Sequence, residues 1–171
     1  MSGIVLSDLA FVSFGSNQGD SRQLFAAACD FLQTLSDFPI LKSSLWRSAP
    51  IDCPPGSPDF LNAVLAFKPR PNETPESLLN RLLLFERKTG RSPSAVRNAP
   101  RTIDLDLIAF GTERRRTAEL ILPHPRATQR RFVLEPLAEL APDLILPGES
   151  RTVSQLLSSM DSTKLVERVE Q

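Results

Sequence analysis

An α+β fold is what this sequence predicts, and three observations point to it. Apolar runs of strand length alternate with two helical stretches whose ends carry capping residues. The elements follow in the order strand, helix, strand, strand, helix, strand. No internal repeat or linker interrupts them. With 171 residues, 41% of them hydrophobic, the chain is the size of one ordinary domain and can build one core, so a single domain over 1–171 is expected.

The first strand is 9–14 (LAFVSF), ended by the turn cluster Gly15-Ser16-Asn17. A helix follows: Asp20 can cap it with Gln23 three residues on, and Leu24, Ala28, Phe31 and Leu35 recur at helical spacing. The second strand is 40–46. It runs into 48–59 (SAPIDCPPGSPD), where four prolines and a glycine in twelve residues forbid regular structure. Residues 60–67 (FLNAVLAF), bounded by Pro58 and Pro69, form the third strand. Thr74 as N-cap, Pro75 at the first helical position, a stripe of Leu78, Leu79, Leu82, Leu83 and Phe85, and Gly90 behind Arg87 and Lys88 define the second helix. After a polar loop at 91–100, residues 102–110 (TIDLDLIAF) alternate: Ile103, Leu105 and Leu107 share one face, Asp104 and Asp106 the other. The apolar flanks predict a central, buried strand. Beyond it come a short apolar stretch at 120–122, helix in parts around Pro136 over 132–140, and a capping box of Thr152 with Gln155 opening a last short helix in the tail 151–171. The order matches the split βαβ plan of a ferredoxin-like sandwich: an antiparallel sheet, here with extra C-terminal helices.

Charge is balanced overall, Lys+Arg 20 against Asp+Glu 20, but not evenly spread. Residues 87–131 hold eleven basic and four acidic side chains, a local +7 against −7 elsewhere. Balance speaks against a nucleic-acid partner, and the absence of a long uncharged apolar run against a membrane one. Two widely spaced cysteines, Cys29 and Cys53, suggest neither disulfide nor zinc, and no leader is evident, so a reducing, cytoplasmic setting is expected.

Asp104 and Asp106, at i and i+2 on one strand face, place their Cα atoms roughly 6 to 7 Å apart, close enough to share a hard cation or hold two. Charged guards on an edge strand are the bland alternative. The apolar flanks favour the cation, magnesium suits all-oxygen ligands, and arginines around the pair fit phosphate oxygens, so the pattern points to a magnesium nucleotide. His124 stands between two prolines beside Arg126 and Arg130. Asn62 on an apolar strand needs a polar partner, and a ligand with matched donors and acceptors is one.

These residues fall in blocks: SFGSNQGD (13–20), WRSAP (46–50), PDFLNAV (58–64), LLLFERKTGR (82–91), APRTIDLDLIAFG (99–111) and LPHPRATQRRFVLEPLAELAPDL (122–144). In this order they closely resemble the 6-hydroxymethyl-7,8-dihydropterin pyrophosphokinase family of folate biosynthesis, over about residues 9–150. The resemblance implies a ferredoxin-like fold and transfer of the β,γ-pyrophosphate of ATP to the pterin hydroxymethyl group, releasing AMP. It implies that Asp104 and Asp106 hold two magnesium ions, that Arg91, Arg101 and Arg130 bind phosphates together with His124, and that Glu86 and Leu107 lie near the nucleoside. Ser48, Ile51, Phe60, Asn62 and Phe132 would form the pterin site, with Phe60 and Phe132 sandwiching the ring and Asn62 reading its amide edge. Asn98 and Pro93 depart from the pattern of some members, in the loop 91–101, which together with loop 47–58 is expected to order only around both substrates. Asp104 and a metal-bound hydroxide are equal candidates for the general base. Oligomeric state is left open.

A nucleotidyltransferase would keep its Gly-Ser and Asp-x-Asp close in sequence, whereas Ser16 and Asp104 are 88 residues apart. An RNA-binding module on the same plan would show stacking aromatics where this chain has aspartates.

Overall fold

The capping signals set the frame. In the computed structural model, which describes residues 5–90, 101–163 and 165–170, Asp20 accepts from the Gln23 amide at 3.1 Å and opens α1 (Ser21–Gln33). Thr74 closes a capping box with Ser77 at the start of α2 (Pro75–Lys88), and Gly90, at φ +96°, turns the chain out beyond its end. A second box, Thr152 with Gln155, opens α4 (Val153–Ser158). All three N-caps stand where the sequence predicts them.

A mixed α/β architecture results, with an antiparallel sheet. Strands β1 (Ala10–Ser16), β2 (Leu41–Lys42), β3 (Trp46–Ser48), β4 (Phe60–Phe67), β5 (Asp104–Phe110) and β8 (Val166–Arg168) form it in the order β5-β1-β4-β3-β8, with β2 also on β4. A two-stranded ribbon of β6 (Arg115–Arg116) and β7 (Ile121–Leu122) stands apart. Helices cover both faces. On one, Phe25, Ala28 and Leu32 of α1 and Leu78 and Leu82 of α2 pack on Val12, Phe14, Leu65, Leu105 and Leu107. On the other, Val133, Leu134 and Leu137 of α3 (Arg131–Leu140) and Val153 and Leu156 of α4 pack on Phe11, Val64, Ala66, Ile108 and Ala109. With both faces covered, β4 reads as an apolar run interrupted only at Asn62. Among the described residues no helix is long and apolar enough to cross a membrane.

Several expectations need correction. The single strand at 40–46 is two short ones, because Ser43 takes over the ladder between them: its amide donates to the Val64 carbonyl at 3.0 Å and its hydroxyl oxygen accepts from the Val64 amide at 2.9 Å. Strand β5 is an edge strand, not a central one. It looks central in sequence because both faces are buried, and its outer edge is covered by the buried Glu86 carboxylate, which accepts from the Leu105 amide at 2.6 Å, and by the His124 amide, which donates to the Ile108 carbonyl at 2.8 Å. In α2 the inward face carries Glu86, while Leu83 is exposed. Helix α3 runs unbroken through Pro136, and the tail returns to the sheet as β8.

Candidate functional site

Beyond the N-terminal end of α3, the sheet face is left open as a cleft of about 320 Å³, within the size range of small-molecule sites. Register builds its floor. Asp104 of β5 stands opposite Gly15 of β1, and Gly15 opposite Asn62 of β4; in the next row Asp106 stands opposite Ser13. Directly opposed residues share a sheet face, so both aspartates and Asn62 look into the same space. The alternation read in the sequence holds, with Leu105 and Leu107 on the far side in the core.

Cations ring the carboxylates. The Arg101 guanidinium donates to Asp104 Oδ2 at 2.6 Å, and Arg130 Nη1 and His124 Nε2 each lie 3.9 Å from Asp106 Oδ2. Arg101 is itself seated by Asn17, whose Oδ1 accepts from the Arg101 amide at 2.8 Å and whose amide donates to the Arg101 carbonyl at 3.1 Å. The Asn17 Nδ2 donates in addition to the Pro58 carbonyl at 3.2 Å, so one side chain joins Arg101, just before β5, to Pro58, just before β4. Burial, reinforced by repulsion from Arg130 and Arg126, pushes His124 down to about 4, against the pull of Asp104. Neutral at pH 7, its Nδ1 accepts from the Arg126 amide at 3.2 Å, which leaves the proton on Nε2, the nitrogen nearer Asp106. Burial and the charge of Arg126 likewise lower Arg130, with Asp106 opposing them. The repulsion between Arg126 and Arg130 is the part of these shifts that an anion in the cleft would relieve.

The other end of the cleft is aromatic and amide-lined. Phe60, Ile51, Ser48, Asn62 and Phe132 all border it. Asn62, 4% exposed, has its polar partners inside the protein: its Nδ2 donates to Ser48 Oγ at 2.8 Å and to the Trp46 carbonyl at 3.1 Å. Its Oδ1 then remains as the acceptor on the floor beside Gly15. The Arg130 guanidinium lies 5.5 Å from the Phe132 ring centroid and joins the two ends.

Of the predicted site residues, the cleft brings together Ser48, Ile51, Phe60, Asn62, Glu86, Arg101, Asp104, Asp106, His124, Arg130 and Phe132. Leu107 is not among them: 3% exposed, its side chain belongs to the core beneath α1 and α2, because it alternates with the aspartates. Arg91, Pro93 and Asn98 lie outside the described residues. Sequence reasoning missed Ser13, Gly15 and Arg126, which also line the cleft. Arg126 was signalled by the basic run, whereas Ser13 and Gly15 come in only through register. Among the described residues no three His, Cys, Asp or Glu side chains are grouped to hold a metal. Asp104 and Asp106 are the carboxylates paired on the cleft floor, a set that fits magnesium sharing its remaining positions with water and phosphate.

A paired-carboxylate cleft ringed by arginines on a mixed α/β sandwich has the kind of parts that phosphoryl transfer uses, positioned charge of both signs. The family model of 7,8-dihydro-6-hydroxymethylpterin-pyrophosphokinase (HPPK) matches residues 11–142. The chain belongs to this family. It is 36% identical over 154 residues to a 2-amino-4-hydroxy-6-hydroxymethyldihydropteridine pyrophosphokinase of Synechocystis, covering 90% of this chain and 77% of that one. A protein of the same name from Methylorubrum extorquens is 38% identical over 165 residues, 94% of this chain and 98% of that one. Among solved structures, an HPPK-DHPS crystal structure in complex with substrates superposes with a TM-score of 0.68 at 12% identity, covering 88% of this chain and 43% of that one. A Plasmodium falciparum HPPK-DHPS triple mutant with pteroate gives 0.67, with 88% and 42% covered. The chain thus spans less than half of these larger proteins, and at such identity they speak for the fold alone.

Proposed function

We propose that this chain, acting as one domain over residues 1–171, transfers the pyrophosphoryl group of ATP to the hydroxymethyl group of 6-hydroxymethyl-7,8-dihydropterin, releasing AMP. The observation that carries this is the cross-strand row Asp104–Gly15–Asn62 with Asp106 in the row beside it, which puts a carboxylate pair suited to a metal-bound polyphosphate and an amide suited to a pterin edge on one cleft floor. The sheet order, with β2 and β3 together as one position and β8 added at the edge, supports a ferredoxin-like plan.

Asp104 and Asp106 would hold two magnesium ions. Bound there, they would supply charge neutralisation for the triphosphate and alignment of the phosphorus under attack. Arg101, Arg130 and, from the segment outside the described residues, Arg91 would hold the phosphate oxygens. His124, neutral, would donate from Nε2 instead of adding charge. Phe60 and Phe132 would sandwich the pterin, with Asn62 Oδ1 accepting from its amide edge and the Ser48 hydroxyl holding the Asn62 amide in register. Glu86, on the α2 wall, would border the nucleoside. The reaction asks for positioning and electrostatics more than covalent help from the protein. AMP formation is the test: it is expected only when ATP, magnesium and the dihydropterin are all present. AMP at the same rate without the pterin would show hydrolysis in place of transfer.

A further inference from the structure

Gly15 is a glycine without a structural reason to be one. Its φ lies outside the left-handed region that favours glycine, so its backbone suits any residue. It sits inside β1, paired on both sides, where glycine weakens a strand by offering no side chain to pack. Space does not forbid a side chain either. A Cβ added there would meet Asn62 Oδ1 at 3.7 Å and Phe60 Cδ1 at 3.9 Å, both ordinary contacts, with nothing else within 4 Å among the described residues. The two atoms it would meet belong to the amide and the ring at the aromatic end of the cleft, whose floor Gly15 forms.

We infer that Gly15 is a specificity-determining residue, its missing Cβ leaving room for the edge of a flat bicyclic heteroaromatic ring, held between Phe60 and Phe132, to approach the sheet and reach the Asn62 amide. The inference rests on the pterin reading above and deepens it: the strand gives up packing so that the ring can approach the backbone. A methyl group there touches Asn62 and Phe60 but not Asp104, so it should act on the ring and not on the polyphosphate.

Gly15→Ala and Gly15→Val test this, using calorimetric titration of 6-hydroxymethylpterin in the presence of magnesium and a non-hydrolysable ATP analogue, alongside titration of the analogue alone and a thermal melt. Gly15→Ala is expected to keep or raise the melting midpoint, to weaken pterin binding at least about tenfold, and to leave the analogue within about twofold. Gly15→Val should weaken pterin further. Unchanged pterin affinity in both variants would overturn the inference while leaving the pterin reading intact, and so would equal weakening of both ligands. A midpoint lowered by several degrees would make Gly15 structural and overturn it as well. If the wild-type protein itself binds no pterin, the reading beneath the inference is wrong and the inference goes with it.

Discussion

Asp104 and Asp106 divide their neighbours unequally, Arg101 serving the first and Arg130 with His124 the second. Asp104→Ala and Asp106→Ala should each lower kcat by more than tenfold, above about 1.4 kcal/mol in barrier, with little loss of fold. The partly exposed Arg101 pair contributes only about 0.2 to 1 kcal/mol, and relief of carboxylate repulsion offsets it. Steady-state kinetics with a urea melt decides the matter, and a kcat above a tenth of wild type would remove the metal role. Asn62→Leu breaks two internal hydrogen bonds besides any bond to ligand, so it should weaken pterin but not ATP binding and destabilise the protein by roughly 1 to 3 kcal/mol. His124 titrates at about 4 in the folded chain against about 6.5 unfolded, and the unfolded state therefore takes up the proton first as pH falls. Its contribution to stability is complete above pH 6.5 and is lost progressively towards pH 4. After solvent screening that amounts to roughly 1 to 2 kcal/mol. Denaturant unfolding at pH 7 and 4.5 should show a larger drop in the wild type than in His124→Asn.

Among the elements, β8 is the one whose removal is most informative. The Val169 amide donates to the Leu45 carbonyl at 2.8 Å, Arg168 Nε donates to Ser44 Oγ at 2.9 Å, and Arg22 reaches the Glu170 carbonyl at 3.0 Å. Glu139 of α3 accepts from the Ser44 amide and hydroxyl and from Trp46 Nε1. Burial raises its carboxyl, but these bonds outweigh it and hold the group below the usual carboxylate range. Ending the chain after residue 163 should therefore cost roughly 2 to 4 kcal/mol, from several hydrogen bonds at about 1 kcal/mol each. It should also raise KM for pterin more than for ATP, since β3 carries Ser48. A truncated enzyme with wild-type KM for pterin would show that β8 merely caps the sheet. Which elements were legible follows from range. Thr74, Pro75, Asp20 and Thr152 act within one helical turn, and the Asp104/Asp106 alternation within one strand, so the sequence alone shows them. The break at Ser43 depends on Val64, the return of β8 on β3, and the edge position of β5 on the order of strands. None of these partners is adjacent in the chain. The inward placement of Glu86 was not legible for a related reason: a carboxylate on an inward helix face makes sense only once the Leu105 amide opposite it is known.

For the whole molecule, charge is segregated though its sum is zero: residues 87–131, with a local +7, supply Arg101, Arg126, Arg130 and His124 to the cleft. Polyphosphate binding should depend on this field, and binding of the uncharged pterin should not. Raising salt from about 0.05 to 0.5 M is expected to weaken an ATP analogue at least about fivefold while changing pterin affinity by less than about twofold. Calorimetry at the two salt concentrations checks it, and parallel weakening of both ligands would mean that the basic run does not act through the cleft.

The two margins of the sheet are closed in different ways. At β5 the Glu86 carboxylate and the backbone of His124 occupy hydrogen-bonding positions that a neighbouring strand would otherwise fill. At the opposite margin the last strand has three residues, two of them the charged Glu167 and Arg168. A long, bare, apolar edge is what recruits other chains into fibrils, and this sheet presents none at either end among the described residues. Glu167→Val combined with Arg168→Val should accordingly raise light scattering of the concentrated protein above that of the wild type, by giving the last strand an apolar edge.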